Sequence, residues 1–468
     1  MQSFCDSNGD GIGDLNGLTS KLDYLQELGV EAIWLMPFHP SPSYHKYDVK
    51  DYYGIHPDYG TLDDFKRLVN RAHQRNIRIV MDLVINHCSA EHPWFKAAIS
   101  NPGSPFRDYF IWATDEEIEE LGNATKEVAE DSDNIIQWND VPGQEEKYFS
   151  YFWSGMPDLN YDNPKLRKDI YKIGRFWLEE MKVDGFRLDA AKHIYPDNRA
   201  PDNHDFWVEF RQEMEQVNPE VHLIGEVWDK AEVIAPFFKG LKSNFNFDLG
   251  YAITDAVRIA DGSTLIDNFI EINDYYHKIT NDFYDAIFLR NHDQERVMSL
   301  FRGNEAKARL AASILFTLPG SPFIYYGEEL GMKGRKPDKF IREPFPWGNG
   351  EPGQTTWMKP KYNSKISNLA EQQADSRSIY HHYKSLIHLR RQHEILSLGG
   401  IEKKTIKNKK VCSFIRTYNV QSMEVIHNLS GKVVAILTER EDVVFQSGAF
   451  TLEKGSLELP GYSSVILR

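Results

Sequence analysis

An α/β protein built on a parallel (β/α) barrel is what this 468-residue sequence predicts, and three observations carry the prediction. Strand-like and helix-like segments alternate along most of the chain. Four short apolar runs end on a carboxylate or a carboxylate–histidine pair: Ile79-Val80-Met81-Asp82 running on to Asn86-His87, Gly185-Phe186-Arg187-Leu188-Asp189, Leu223-Ile224-Gly225-Glu226, and Ile287 through His292 to Asp293. Beyond Leu396 the pattern changes to short alternating strands broken by turns. A strand that stays apolar to its end is buried along its length and meets polar space only at its C-terminal tip. Several such tips converge when a parallel sheet carries its chemistry at the carboxyl edge.

The elements follow in order. Ala32 to Met36 reads as a strand ending at Pro37. Thr61 to Asn76 reads as a helix, because Leu62, Phe65, Leu68, Val69 and Ala72 recur at three-to-four spacing. Thr61 is placed to cap it, with Asp64 three residues on as an approximate capping box. Further strands are expected at 77–84, 184–189, 221–226, 244–248, 285–290 and 322–327. Helices fall between them, most clearly at 164–182, 204–216, 305–318 and 376–393. Such alternation means a parallel sheet, and its length favours a closed barrel over an open sheet.

Between His87 and Tyr161 the periodicity fades. The stretch is too long for a structureless loop in a compact domain, so residues 88–161 are expected to form a small inserted domain. It holds an acidic run from Asp115 to Asp133 and aromatics at Tyr148, Phe149, Tyr151, Phe152 and Trp153. The barrel is then built from residues 1–87 and 162–396, and residues 397–468 form a C-terminal β-sandwich domain.

Hydrophobic residues make up 41% and charged residues 26%, ordinary for a globular protein. A formal net charge of −15 argues against a nucleic-acid partner, since phosphate binding needs a basic face. No apolar run is long enough to cross a bilayer. The three scattered cysteines, Cys5, Cys88 and Cys412, form neither a disulfide framework nor a metal cluster.

In the segment DSNGDGIGD, Asp6, Asn8, Asp10, Ile12 and Asp14 alternate, with Gly11 between. Oxygen ligands at every second residue, a carbonyl at the seventh position and glycine at the sixth match a calcium loop of the EF-hand type. The twelfth position is Gly17 rather than glutamate and no helix precedes the loop, so a true EF-hand is excluded. A structural hard cation, calcium, is expected there. Asp189, Glu226 and Asp293 tip three strands. Arg187, two residues before Asp189, shares its face of the strand and would hold that carboxylate ionised. Glu226, after an apolar strand, is placed where desolvation raises its pKa. One ionised and one protonated carboxyl suit glycoside hydrolysis. Metal-assisted hydrolysis through His87, His292 and Asp293 is the competing chemistry, without the ligand spacing that would favour it.

Asp82–His87 (DLVINH), Gly185–His193 (GFRLDAAKH), Gly225–Trp228 (GEVW) and Phe288–Asp293 (FLRNHD) resemble the four signature segments of the α-amylase family, glycoside hydrolase family 13. Met156–Asn160 (MPDLN), Gly29–Pro37 (GVEAIWLMP) and Gly320–Glu328 (GSPFIYYGE) are similar to its further motifs, and MPDLN resembles that of an intermediate group of bacterial α-amylases. The resemblance implies a (β/α)8-type TIM barrel and a retaining α-1,4-glucan hydrolase acting on starch or maltooligosaccharides, most simply as a monomer. It implies Asp189 as nucleophile, Glu226 as general acid/base and Asp293 as supporting carboxylate. Arg187 would position Asp189, His87 and His292 would bind hydroxyls of the sugar being cleaved, and Tyr47 would stack on its ring. Asp82 is left as structural. Ala190 resembles α-1,4-acting members, with Lys192 and His193 facing the leaving-group sugar. Asp48 and Arg342 resemble residues that grip a non-reducing end in exo-acting relatives. An α-glucosidase, or a glucan transferase or trehalose synthase using the same site, is the alternative. A non-catalytic binding protein is disfavoured because all three carboxylates are present.

The resemblance also carries a departure. From Ala32 there are seven barrel strands, and only Met1 to Cys5 precede the aspartate before which family members place a first strand. Either the first strand is missing, through a misplaced start codon or a shortened sequence, with lowered stability from two unpaired edges, or the barrel is closed in some other way. A signal peptide would lie upstream of such a start, which makes secretion the preferred location.

Overall fold

The computed structural model describes residues 1–121, 136–348 and 350–468. Seven parallel strands form its main sheet: β1 (Ala32–Leu35), β2 (Arg78–Leu83), β6 (Gly185–Leu188), β7 (His222–Gly225), β8 (Ser243–Asn246), β9 (Tyr284–Phe288) and β10 (Ser321–Phe323), hydrogen-bonded in that order. Between β2 and β6 the chain leaves to make a small antiparallel sheet of β3 (Trp112–Ala113), β4 (Trp138–Asn139) and β5 (Lys147–Phe149), with β5 central. The acidic run expected from Asp115 falls outside the described residues from position 122 onward.

The helices follow from their caps and apolar stripes. Leu62–His73 begins at a complete capping box, in which the Asp64 amide donates to the Thr61 hydroxyl and the Thr61 amide to the Asp64 carboxylate. Its Phe65, Leu68, Val69 and Ala72 are buried, as the spacing predicts. Pro164–Glu179, Ala200–Glu215, Glu305–Thr317 and Ile379–Gln392 match the other expected helices, and Phe247–Ile259 and Leu265–His277 add two more. Strand β8 is shorter than predicted because Asn246 caps the helix behind it, its side chain accepting from the Leu249 amide.

The sheet curls. Val80, Ile224, Phe245, Ala286 and Phe288, from β2, β7, β8 and β9, pack into one interior cluster with Phe247, and Trp34 of β1 and Phe323 of β10 join it from the two ends. Trp34 and Phe323 each lie near Phe245, at ring-centroid distances of 5.3 and 5.2 Å. Yet β1 and β10 do not pair with each other. A cleft of about 1720 Å³ opens between them and runs to Arg290, Asn291 and His292 at the carboxyl edge. The barrel is thus a seven-strand (β/α) barrel with one gap, as the strand count predicts.

Residues from Gly400 onward are all β: a five-stranded antiparallel sheet of β11 (Gly400–Lys403), β12 (Val411–Tyr418), β13 (Gln421–Asn428), β18 (Ser463–Leu467) and β15 (Val443–Ser447), and a three-stranded one of β14 (Val434–Leu437), β17 (Ser456–Leu459) and β16 (Thr451–Glu453). Arg416 fastens this unit to the barrel, its guanidinium donating to the carbonyls of Thr317, Leu396, Gly399 and Gly400. No described helix is long and apolar enough to cross a membrane.

Candidate active site

Strands β6 and β7 deliver the two principal carboxylates side by side. Gly185 allows this approach, since a Cβ there would meet the His222 carbonyl oxygen of β7's first residue at 2.1 Å; Gly225 does the same for β7 and β8, where a Cβ would meet the Asn244 side chain at 2.3 Å. Past the end of β6 the chain turns sharply. Ala190 takes the left-handed conformation (φ 48°, ψ 40°), costing about 1–2 kcal/mol for a residue with a Cβ. The turn lets the Ala191 amide donate to the Glu226 carbonyl at 3.0 Å, so the two strand ends are knitted together.

Arg187 is the hub. Its buried guanidinium lies 2.6 Å from Oδ1 of Asp189, 2.5 Å from Oε1 of Glu226, and 2.8 and 3.0 Å from the two oxygens of Asp82. One guanidinium touching Asp189 and Glu226 holds their carboxyl groups a few ångström apart. Asp82 stands directly opposite Arg187 in the β2–β6 register. It also accepts from the Trp34 indole (3.2 Å) and the Tyr47 hydroxyl (3.4 Å). Asp82 is thus the third carboxyl on Arg187, and its structural role is exercised inside the site, where it braces that guanidinium.

Asp293 follows β9 on the other side of the cluster. It pairs with Arg342 (2.7 Å) and with Nε2 of His292 (3.0 Å). That nitrogen also lies 2.6 Å from the Tyr47 hydroxyl, and the Tyr47 ring stacks parallel to His292. His87 sits across the cluster with Nε2 3.2 Å from the Tyr47 carbonyl and its ring against Phe152. Asp189, Glu226, Asp293, Arg187, His87, His292 and Tyr47 are therefore brought together in one cluster.

The electrostatics separate the carboxylates. Burial raises the pKa of Glu226, Asp189 and Asp293 add to the rise, and Arg187 and His292 oppose it. Burial also raises Asp189, against the pull of Arg187. Asp82 is pushed up to about 8 by burial, again against Arg187. At Asp293 burial acts upward, but His292, Arg342 and Arg187 outweigh it and hold the carboxyl well below the usual range. A permanently ionised Asp293 beside a raised Glu226 is a site with distinct anionic and proton-bearing carboxyls.

The outer residues divide. Lys192 pairs with Asp229 (2.8 Å) and Asp197 (3.3 Å), and His193 stacks on Tyr151 with centroids 4.2 Å apart. Arg342 reaches the site through Asp293. Asp48 is buried and accepts from the hydroxyls of Ser41 (2.5 Å) and Ser43. The loop of residues 6–14 spends its carboxylates on local donors. Asp6 accepts from the amides of Asn8, Gly9 and Gly11, Asp10 from the Ile12 amide, and Asp14 from Ser7 and from Gly17 as a helix cap. Among the described residues no group of three or more His, Cys, Asp or Glu is arranged to hold a metal ion. The Asn8 side-chain amide nitrogen donates to the Asp10 carboxylate at 3.0 Å.

Comparison with known proteins agrees with this geometry. The family model described as "Alpha amylase, catalytic domain" matches residues 1–399, and that of the "Alpha-amylase SusG C-terminal domain" matches 411–466. "Alpha-amylase 3" of Dictyoglomus thermophilum is 45% identical, over 100% of this chain and 91% of that protein. A "4-alpha-glucanotransferase" of Thermotoga neapolitana is 35% identical, over 92% of this chain and 94% of that one. The crystal structure of an α-amylase from H. orenii superposes with a TM-score of 0.91 at 41% identity, covering 100% of this chain and 97% of that structure.

Proposed function

The chain belongs to the α-amylase family of glycoside hydrolases, and from that premise we propose that it hydrolyses α-1,4-glucans with retention of configuration, through Asp189, Glu226 and Asp293. The observation that carries the reading is the single guanidinium of Arg187 spanning Asp189 and Glu226, with the low-pKa Asp293 beside them. In the first step a carboxylate oxygen of Asp189 attacks the anomeric carbon. The bond to the glycosidic oxygen breaks, and that oxygen takes the Glu226 proton and departs as a sugar hydroxyl. In the second, Glu226 takes a proton from water, whose oxygen attacks the same carbon and releases Asp189 as carboxylate. Asp293, held anionic, stabilises the positive charge that develops on the sugar ring, and His87, His292 and Tyr47 orient its hydroxyls and face.

A time course on maltoheptaose tests the reading. Shorter maltooligosaccharides released initially as α-anomers are expected, and Asp189→Asn should release none above background. An Asp189→Asn enzyme with undiminished turnover would reject the assignment. Products longer than the substrate would instead favour glucan transfer, the reaction named in the Thermotoga neapolitana relative.

Calcium at Asp6, Asn8, Asp10, Ile12 and Asp14 is part of the same proposal, supported by the donor chemistry of the loop: three carboxylates, an amide oxygen and a carbonyl in alternate positions. Saturating calcium is expected to raise the melting temperature above that in a chelator, as binding only the folded state requires. Equal melting temperatures in the two conditions would remove the cation from the scheme.

A further inference from the structure

We propose that Arg296 is a positioning residue for the reaction: without meeting the sugar itself, it fixes Arg342, and through Arg342 the carboxylate of Asp293. The inference rests on the hydrolase reading above and adds the device that aims its supporting carboxylate.

Asp293 depends on such a device. Its side chain is 29% exposed, and besides His292 it is held by Arg342 at 2.7 Å. Arg342 comes from residues 333–347, which are irregular apart from the helical turn Asp338–Phe340. A segment without a backbone ladder keeps one shape only where other groups tie its carbonyls and amides. Here three successive carbonyls are tied. Nε of Arg296 donates to that of Ile341 at 2.7 Å, the Ser3 hydroxyl to that of Arg342 at 2.5 Å, and the Tyr326 hydroxyl to that of Glu343 at 2.8 Å. Nη1 of Arg296 donates in turn to the carbonyl of the same Tyr326, at 2.7 Å. One guanidinium therefore holds the residue before Arg342 directly and the residue after it through Tyr326.

Arginine suits this task. Arg296 is buried, and a buried guanidinium is costly to strip of water. Its planar fork has donors aimed in two directions, so it can bridge two chain segments at once, which a point-like ammonium cannot. Two rings keep the fork in place: its central carbon lies 4.3 Å from the Tyr325 ring centroid and 4.8 Å from that of Tyr326. The backbone is pinned too, the Arg296 amide donating to the Gly334 carbonyl at 3.0 Å. There the loop is folded hard against itself, since a Cβ on Gly334 would meet the Phe340 carbonyl oxygen at 2.6 Å. Arg296 lies three residues after Asp293, so one short segment carries both the carboxylate and the group that places its partner.

The consequence for catalysis is specific. Asp293 opposes charge that appears on the sugar ring only in the transition states. A displaced Arg342 should therefore weaken turnover more than ground-state binding. A misplacement of about 1 Å in such a site is worth on the order of 10²-fold in rate.

Kinetics on maltoheptaose of Arg296→Met, Tyr326→Phe and Arg342→Met, singly and with each of the first two combined with the third, test the assignment. Arg296→Met should lower kcat by about 10²-fold while KM moves by less than about threefold. Tyr326→Phe removes one hydroxyl and should lower kcat by about 3- to 10-fold, the worth of one hydrogen bond. In the Arg342→Met background neither substitution should cost more than about twofold, because no guanidinium is left to place. Losses that multiply in the double variants, or that fall on KM rather than kcat, would overturn the positioning role, as would an Arg342→Met enzyme as active as wild type. Should the melting curve show Arg296→Met unfolded, Tyr326→Phe and its double variant decide the question alone. Wild type inert on maltoheptaose would instead overturn the hydrolase reading, and the inference with it.

Discussion

Glu226→Gln is expected to lower kcat on maltoheptaose by about 10²- to 10⁴-fold, the usual worth of a positioned general acid. Glutamine keeps the shape and can still donate a hydrogen bond, but it has no proton to give a departing glycosidic oxygen. α-Maltosyl fluoride needs no such proton, so its first step should survive and the covalent intermediate should accumulate, because the second step has lost its base. Azide, which attacks without a base, should then restore turnover and yield maltosyl azide of retained configuration. The pH profile gives an independent check. Glu226 works protonated, and its pKa is raised by burial and by Asp189 and Asp293. Wild-type activity is therefore present below that raised value and lost as pH climbs through it. Asp189 works ionised, and burial raises it as well, so activity should also fall on the acid side. The whole bell should lie above the range of ordinary carboxylates. In Glu226→Gln the alkaline limb should vanish while the acid limb stays. Full activity in this variant, or an unaltered alkaline limb, would show that another group supplies the proton.

The barrel is legible in the sequence because its strands are apolar runs flanked by amphipathic helices, and both periods are visible in one dimension. Strand ends are less so. The run from Asn244 to Asp248 reads as continuous strand, yet Asn246 caps a helix and Phe247 already belongs to it. At the other edge, pairing stops at Phe323 although the apolar run continues to Tyr326, because β10 has a neighbour on one side only. In the site, the residues that act from strand tips are readable, since a carboxylate ending a buried strand is costly to desolvate unless it is paired or put to use. Asp82 escapes a reading strand by strand because its importance lies in the register: it faces Arg187 across the β2–β6 pair, a relation no single strand reveals.

Arg187→Met should cost the fold about 3–5 kcal/mol at neutral pH, as expected when one partner of a buried ion cluster is removed. That is a large part of the roughly 5–15 kcal/mol that keeps a domain folded. Methionine fills the volume, so the loss is electrostatic rather than a cavity. Asp82, Asp189 and Glu226 would be left buried with no guanidinium between them. Arg187 lowers all three pKa values in the native protein. Without it they rise further above their unfolded values. A carboxyl raised in the folded state favours folding when protonated and opposes it once the unfolded chain can ionise. The penalty should therefore be small near pH 4 and grow as pH rises toward 8. Urea unfolding of variant and wild type across that range measures it directly. A pH-independent difference would mean that Arg187 matters through packing alone. Activity should fail even where the variant is folded, because an Asp189 that holds its proton is no nucleophile. Arg187→Lys separates the two effects. A single ammonium restores one positive charge, and with it much of the stability at neutral pH, but it lacks the two-pronged geometry that spans Asp189 and Glu226 at once. Stability recovered without turnover is the expected signature of a residue that both neutralises the site and sets its spacing.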